Sequence, residues 1–331
     1  MSEAAKISVV VPCFDQRPAF LKEAVESVRR QTVKNYEIVL VDDGSTSPAT
    51  LACLESFQND SDVRLFRKEN GGLASARNFG VGKVTGQFIQ FLDSDDLLHP
   101  QKFERQLACF DGDPTLDVCI TNARLCSEKG KDLGPIPGVD FRLSADPLRD
   151  IVFRWEQDLS FPIHSALFRT ALRDRGLIQF REDLKAKEDW LFWTVLAKAR
   201  PRFHLLDEVL VSYRQHGTNM CRNVEAMTRQ IVRAAFRIHA VLPDELKEEF
   251  LEHASRHIGE EYIAVARTDT LQRMARNEPF GEKIVGDHTP NPGFRAGYRI
   301  FIKSFTFALQ KRWRRYTKPL AAAANRRPAS T

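Results

Sequence analysis

Residues 93–96 read Asp93-Ser94-Asp95-Asp96, three carboxylates directly behind the apolar run QFIQFL. Adjacent carboxylates repel one another and are poor strand formers, so their place at the end of such a run points to a use. In extended backbone, residues i and i+2 point the same way. Asp93 and Asp95 can therefore converge on one divalent cation, or on a cation and the diphosphate it neutralises. The alternative is a solvated turn in which Asp96 starts the next helix. A second acidic pair, Asp42-Asp43, follows the apolar run EIVLV. Its oxygens suit a pyrimidine N3–H or a ribose hydroxyl. The same residues can close an Asx turn ahead of a helix capped by Ser47 and opened by Pro48. A third pair, Glu188-Asp189, stands before Trp190 and the helical run WLFWTVLAKA, where the helix dipole favours acids in any case.

These acids need elements to hold them. The first 120 residues alternate between apolar, β-branched runs (Ile7–Val11, Tyr36–Val41, Val63–Arg67, Gln87–Leu92, Leu116–Thr121) and helix-periodic ones (18–31, 48–57, 72–83, 100–110). That alternation predicts an α/β fold, a Rossmann-like, mostly parallel sheet with helices on both faces. Ligands of such sheets bind beyond the carboxyl ends of the strands. Cys13–Asp15, Asp42–Ser45 and Asp93–Asp96 all fall there. Residues 127–147 are Gly- and Pro-rich and predict a loop. Residues 148–217 mix short strands and helices, 222–275 are helix-periodic and charged, and 280–294 form a second Gly/Pro stretch.

Composition narrows the function classes. Neither GxGxxG nor GxxxxGK[ST] follows the first strand, which argues against dinucleotide oxidoreductases and P-loop NTPases. No run of 18 apolar residues and no secretory segment is present, and the six cysteines show no CxxC spacing. These features predict reduced thiols in a cytoplasmic protein. The net charge is +5, yet His288–Thr331 holds ten Lys or Arg and no Asp or Glu, so the rest of the chain is net −5. An acidic body argues against a nucleic-acid groove, and a basic tail argues for an anionic partner.

The ordered motifs VVVPCFD, SVRRQT, EIVLVDDGSTS, ENGGLASARNFG, GQFIQFLDSDDLLHP and KEDWLFW resemble family 2 glycosyltransferases of the GT-A fold. The resemblance is dense over 6–120 and thinner to about 217, where SYRQHGTN looks like the family's tyrosine-arginine-any-histidine element. It implies that Pro12, Phe14 and Asp15 line the base and ribose of a nucleotide sugar. It implies that Asp42 and Asp43 bind the base, and that Asn70, Gly71, Gly72 and Arg77 approach the nucleotide. Asp93, Ser94 and Asp95 become the DxD element, with Asp95 and Asp93 as ligands of Mn²⁺ or Mg²⁺ and His216 or Arg214 reaching metal or diphosphate. Asp189 aligns with the catalytic base, with Glu188 and Trp190 beside it toward the acceptor. The family commonly has Tyr-Asn where this chain has Phe14-Asp15, a change that removes a phenolic hydroxyl and adds an acid.

For several residues the plain reading stays beside the functional one. Arg77 suits a solvated helix position as well as a nucleotide-facing or loop-bracing one next to Asn78. His164 suits a buried structural histidine as well as an acceptor site. In 297–318, Tyr298, Ile302, Phe305, Leu309, Trp313 and Tyr316 share one helical face with basic residues around it. This pattern fits an anionic membrane surface or a helix packed on the body. The expected organisation is a nucleotide-sugar half (1–120), an acceptor half with the base (121–217), a helical extension (218–294) and a basic amphipathic tail (295–331). The expected activity is metal-dependent, inverting transfer from a nucleotide-sugar donor, a UDP-sugar, to a glycan or lipid-linked acceptor at the inner face of a bacterial membrane. Two competitors are a sugar nucleotidyltransferase, whose Gly-rich basic loop is replaced here by PCFDQRP, and a non-catalytic GT-A-like binding protein.

Overall fold

The computed structural model describes residues 6–155, 157–217, 224–254 and 256. The chain divides into two compact units, Met1–Arg222 and Asn223–Thr331. The first unit runs β1 (Ile7–Cys13), α1 (Pro18–Arg29), β2 (Tyr36–Asp42), α2 (Pro48–Ser56), β3 (Val63–Arg67), α3 (Leu73–Val81), β4 (Phe88–Phe91), β5 (Leu97–Leu98), α4 (Lys102–Gly112), β6 (Val118–Ser127), β7 (Asp132–Pro135), α5 (Pro147–Arg154), a 3₁₀ turn (Ile163–Ser165), β8 (Ala166–Arg169), α6 (Ala171–Asp174), α7 (Glu188–Lys198) and β9 (Phe203–Gln215). In the second unit the described residues hold α8 (Val224–Val241) and a helical stretch over 244–254. The tail helix expected over 297–318 lies outside the described residues.

One sheet of nine strands runs in the order β3-β2-β1-β4-β8-β6-β9-β5, with β7 paired to β6. The part that the alternation predicts is parallel: β3, β2, β1 and β4 pair in one direction. Beyond β4 the pairing is antiparallel at β4–β8, β8–β6, β5–β9 and β6–β7, and parallel again at β6–β9. The sheet as a whole is therefore mixed. β6 also runs on to Ser127, and β7 lies within the stretch whose glycines and prolines predict loop. Turn residues there shape a hairpin rather than exclude strand.

Every residue of β1 and β4 is buried, as is β2 from Ile38 onward, which is why these strands read as continuous apolar runs. α3 lies on β1 and β2 at Gly80. A Cβ there would stand 2.4 Å from Val10 Cγ1 and 3.3 Å from Val41 Cγ2. The order places β1 between β2 and β4, so the chain changes direction beside β1. Register sets Cys13 beside Asp42, and Leu92 N–H donates to the Val10 carbonyl at 3.0 Å. Both acidic motifs thus leave the sheet at the same edge, one on each side of β1. An aromatic cluster fills the layer behind: Phe180 stacks on Phe192 at 4.4 Å and meets Phe91 edge-on at 5.2 Å.

Candidate active site

The loop after β2 is built on its own acids. Asp42 Oδ1 accepts from Ser45 N–H at 2.8 Å, which closes the turn, and Oδ2 lies 3.5 Å from Arg67 Nε. Asp43 is buried. Its Oδ1 accepts from Lys68 Nζ at 2.7 Å and Gly71 N–H at 3.1 Å, and its Oδ2 from Gly72 N–H at 2.7 Å. Gly44, directly after Asp43, turns the chain with φ +80°, and a Cβ there would stand 2.9 Å from Asn70 N. Asp15, with φ 43°, accepts from Thr46 and Ser47 N–H, both at 2.7 Å. The Ser47 and Thr46 amides hold its carboxyl below the usual range. Asp15, Asp42 and Asp43 therefore fasten the loops after β1, β2 and β3 to one another. Pro12 is buried at the end of β1, Asn70 is exposed, and Phe14 turns its ring outward, 51% exposed.

The loop after β4 is neutralised from two sides by buried arginines. Arg77 on α3 is 3% exposed and donates to Asp93 Oδ1 at 2.7 Å and to Glu188 Oε1 at 2.8 Å. Its guanidinium lies 5.1 Å from the centre of the Phe180 ring. Burial alone would lower its affinity for its proton, but the charges of Asp93 and Glu188 outweigh that and raise it. Arg214, at the end of β9, is fully buried. Its N–H donates to Asp96 Oδ1 at 2.8 Å, Nε to the Asp95 carbonyl at 2.7 Å, one terminal nitrogen to the Glu128 carbonyl at 2.7 Å and the other to Glu23 Oε2 at 2.6 Å. The guanidinium of Arg214 thus ties the loop to α1 and to the β6–β7 turn. Ser94 Oγ is buried and accepts from Gln16 Nε2 at 3.3 Å.

Asp95 and His216 meet at 2.9 Å between Oδ2 and Nε2, with the Asp95 side chain 23% exposed and the His216 ring 5.1 Å from Phe20. Burial and the neighbouring Asp93 push the Asp95 carboxyl up, and His216 opposes them. One carboxylate and one imidazole at this separation form a donor pair that fits Mn²⁺ or Mg²⁺ with further oxygens from a diphosphate. Behind them, Asp93, Asp96 and His164 offer three ligand atoms within 4.8 Å of one another. There the Asp96 and His164 side chains are only 1% exposed, with Asp96 Oδ2 and His164 Nδ1 3.1 Å apart but off a hydrogen-bonding line. Burial drives both toward neutrality, raising Asp96 and lowering His164 to about 3. His164 sits on the 3₁₀ turn with its carbonyl accepting from Gln90 Nε2 at 2.9 Å, while both buried ring nitrogens lack a hydrogen-bond partner among the described residues.

α7 begins after Lys187, which takes φ 62°. Glu188 is its first residue; burial pushes its carboxyl up against the pull of Arg77. Asp189 follows, half-buried, and accepts from Trp190 N–H at 2.8 Å. Trp190 is buried and its Nε1 donates to the Ile151 carbonyl at 2.9 Å, so it anchors α7 to α5.

Arg77 thus joins Asp93 to Glu188, and the Asp95–His216 pair and Asp189 adjoin that bridge along the chain. Asn78 braces the segment before α7, donating to the Phe180 carbonyl at 2.8 Å and accepting from Phe180 N–H at 2.8 Å. Lys68 and Lys185 escaped sequence reasoning, although Lys68 stands directly before ENGG; Lys185 Nζ donates to the Gly71 carbonyl at 3.3 Å. Phe180, Glu23 and Glu128 carry no local signal, because each matters through a partner far away in sequence.

Comparison with known proteins gives the family and the fold. The family described as Glycosyl transferase family 2 matches residues 8–173. An uncharacterized glycosyltransferase of Rickettsia conorii is 41% identical over 195 residues, which are 58% of this chain and 30% of that protein. The minor teichoic acid biosynthesis protein GgaB of Bacillus subtilis is 28% identical over 210 residues, 62% of this chain and 23% of that one. The chain spans less than a third of the length of these curated relatives. Among solved structures, S. aureus TarS 1-349 in complex with UDP has a TM-score of 0.59 at 22% identity, over 93% of this chain and 82% of that one. The same TarS segment in complex with UDP-GlcNAc has a TM-score of 0.54 at 20% identity, over 87% and 97%. The mixed α/β sheet and its helices are those of the GT-A-like fold.

Proposed function

The chain belongs to glycosyl transferase family 2, and from that premise we propose that it transfers a sugar from a UDP-sugar to a hydroxyl of a glycan or lipid-linked acceptor, with inversion, in building a bacterial surface polysaccharide. One observation carries the reading: through Arg77, the DxD loop and the start of α7 are joined into one place although 16 and 111 residues separate its partners from it. The likeness to TarS, solved with UDP and UDP-GlcNAc, supports the donor. The name of GgaB supports the polysaccharide setting.

In this reading Phe14 offers its exposed ring to the base. Asp43, by gripping Gly71 and Gly72, shapes the loop that receives the nucleotide, and Asp15 holds that loop's neighbour. Asp95 and His216 would hold the divalent cation, which when bound supplies Lewis-acid stabilisation of the leaving diphosphate. Asp189 accepts the proton of the acceptor hydroxyl as its oxygen bonds to the anomeric carbon and the bond to the diphosphate breaks. A single base without a covalent partner gives inversion.

The test is nucleotide release. Incubated with a panel of UDP-sugars and Mn²⁺, the protein is expected to release UDP, and EDTA to stop it. Asp95→Asn and Asp189→Asn are each expected to lower kcat by about 10²–10⁴ with unchanged circular dichroism. Full activity in either variant would remove that residue from the mechanism.

A further inference from the structure

We propose that Arg77 is a positioning residue that locks the donor-side loop and the base-bearing helix into one rigid unit, rather than a contact to the nucleotide. The proposal rests on the transferase reading above. Both terminal nitrogens are committed inside the protein, one to Asp93 Oδ1 at 2.7 Å and one to Glu188 Oε1 at 2.8 Å. Phe180 covers the guanidinium, and the residue is 3% exposed. Nε alone lacks a hydrogen-bond partner, and it is buried, so the side chain offers a diphosphate almost no accessible surface.

The positions of its partners give the link its use. Asp93 is two residues before Asp95, which pairs with His216. Glu188 precedes Asp189 in the first turn of α7. One planar fork therefore sets the distance between the group that faces the leaving diphosphate and the group that receives the acceptor proton. The spacing matters because a misplacement of about 1 Å can cost about 10²-fold in rate. Removing the guanidinium also leaves the buried Glu188 and the part-exposed Asp93 without the cation they share. A lysine keeps the charge but not the two-pronged reach.

The experiment compares wild type, Arg77→Lys and Arg77→Met in UDP binding with Mn²⁺ by calorimetry, in release of UDP from UDP-sugars, and in thermal melting. The expected result is a kcat lower by about tenfold in Arg77→Lys and about 10²-fold in Arg77→Met, with UDP affinity within about threefold of wild type. A UDP affinity that falls in step with kcat would make Arg77 a nucleotide contact and overturn the proposal; an unchanged kcat would overturn it too. If Arg77→Met does not fold, Glu188→Gln replaces it, keeping the shape and removing the charge. Its kcat is expected to fall with UDP affinity intact, and its combination with Arg77→Lys to be little slower than Arg77→Lys alone. Fully additive losses would overturn the bridge. A wild-type protein that binds no UDP and releases none would overturn the transferase reading and the bridge with it, whereas active wild type with undiminished variants overturns the bridge alone.

Discussion

Lys102 shows what a single buried charge costs in this protein. It is fully buried on α4, and its Nζ donates to Gln90 Oε1 and, at 2.6 Å, to Gln106 Oε1. Among the described residues no carboxylate pairs with it, and burial pulls it from 10.5 to about 7. Between those values the unfolded chain binds a proton that the folded chain does not, so stability from this group rises with pH from 7 to about 10.5. At about 1.4 kcal/mol per pH unit, the penalty near pH 7 is a few kcal/mol. Replacing the lysine also leaves two buried amide oxygens without a donor, about 1–3 kcal/mol. Lys102→Met is therefore expected to be more stable than wild type at pH 7 and less stable above pH 10. Urea midpoints across that range check the crossing; a constant difference would mean that Lys102 stays protonated in the fold.

At the scale of elements, α3 places the site. It carries Arg77 on the side of the DxD loop and lies on β1 and β2 only because position 80 has no side chain. Gly80→Ala gains about 1 kcal/mol of helix propensity. It also drives a methyl to 2.4 Å from Val10 Cγ1, and such overpacking costs about 1–3 kcal/mol. The clash wins if Val10, fully buried on β1, cannot turn. Gly80→Ala is expected to lower the urea midpoint and to lower kcat as α3 lifts Arg77 away from Asp93. A midpoint at or above that of wild type would show that the contact relaxes. α7 is held on α5 by Trp190 and against the core by the Phe180–Phe192 stack.

At the scale of the whole molecule, the proposed reaction takes one side from the strand ends and the other from residues beyond 120. The chain covers less than a third of several relatives, and its activity is proposed for the chain as given. No described helix is long and apolar enough to cross a membrane. The ten basic residues after His288 stand with no acid among them, and each contributes about 1 kcal/mol near an anionic surface. The full chain is expected to sediment with phosphatidylglycerol vesicles and not with neutral ones, with high salt releasing it, and a chain ending at residue 294 to stay in the supernatant. Equal sedimentation of both chains would assign the tail to the body instead.

The amino-acid sequence alone determined the parallel part of the sheet, because strands buried on both faces write continuous apolar runs and helices write a period of 3.6. It also placed Asp42–Asp43 and Asp93–Asp96 at strand ends, since each follows such a run directly. It left β7 and the antiparallel pairing of β8 unread, because a short strand amid glycine and proline carries no period of its own and a local apolar run does not write its pairing direction. Only the tertiary structure decided which partners each acid meets within the protein. Asp43 looks available in sequence, but Lys68, Gly71 and Gly72 take up its oxygens. Arg77 looks solvated or nucleotide-facing, but a glutamate 111 residues away and a phenylalanine ring enclose it. The physical reason is common to both. A carboxylate or guanidinium is defined by whatever charge and hydrogen bonds stand within about 3 Å of it, and here those partners come from segments that adjoin only when the sheet has closed.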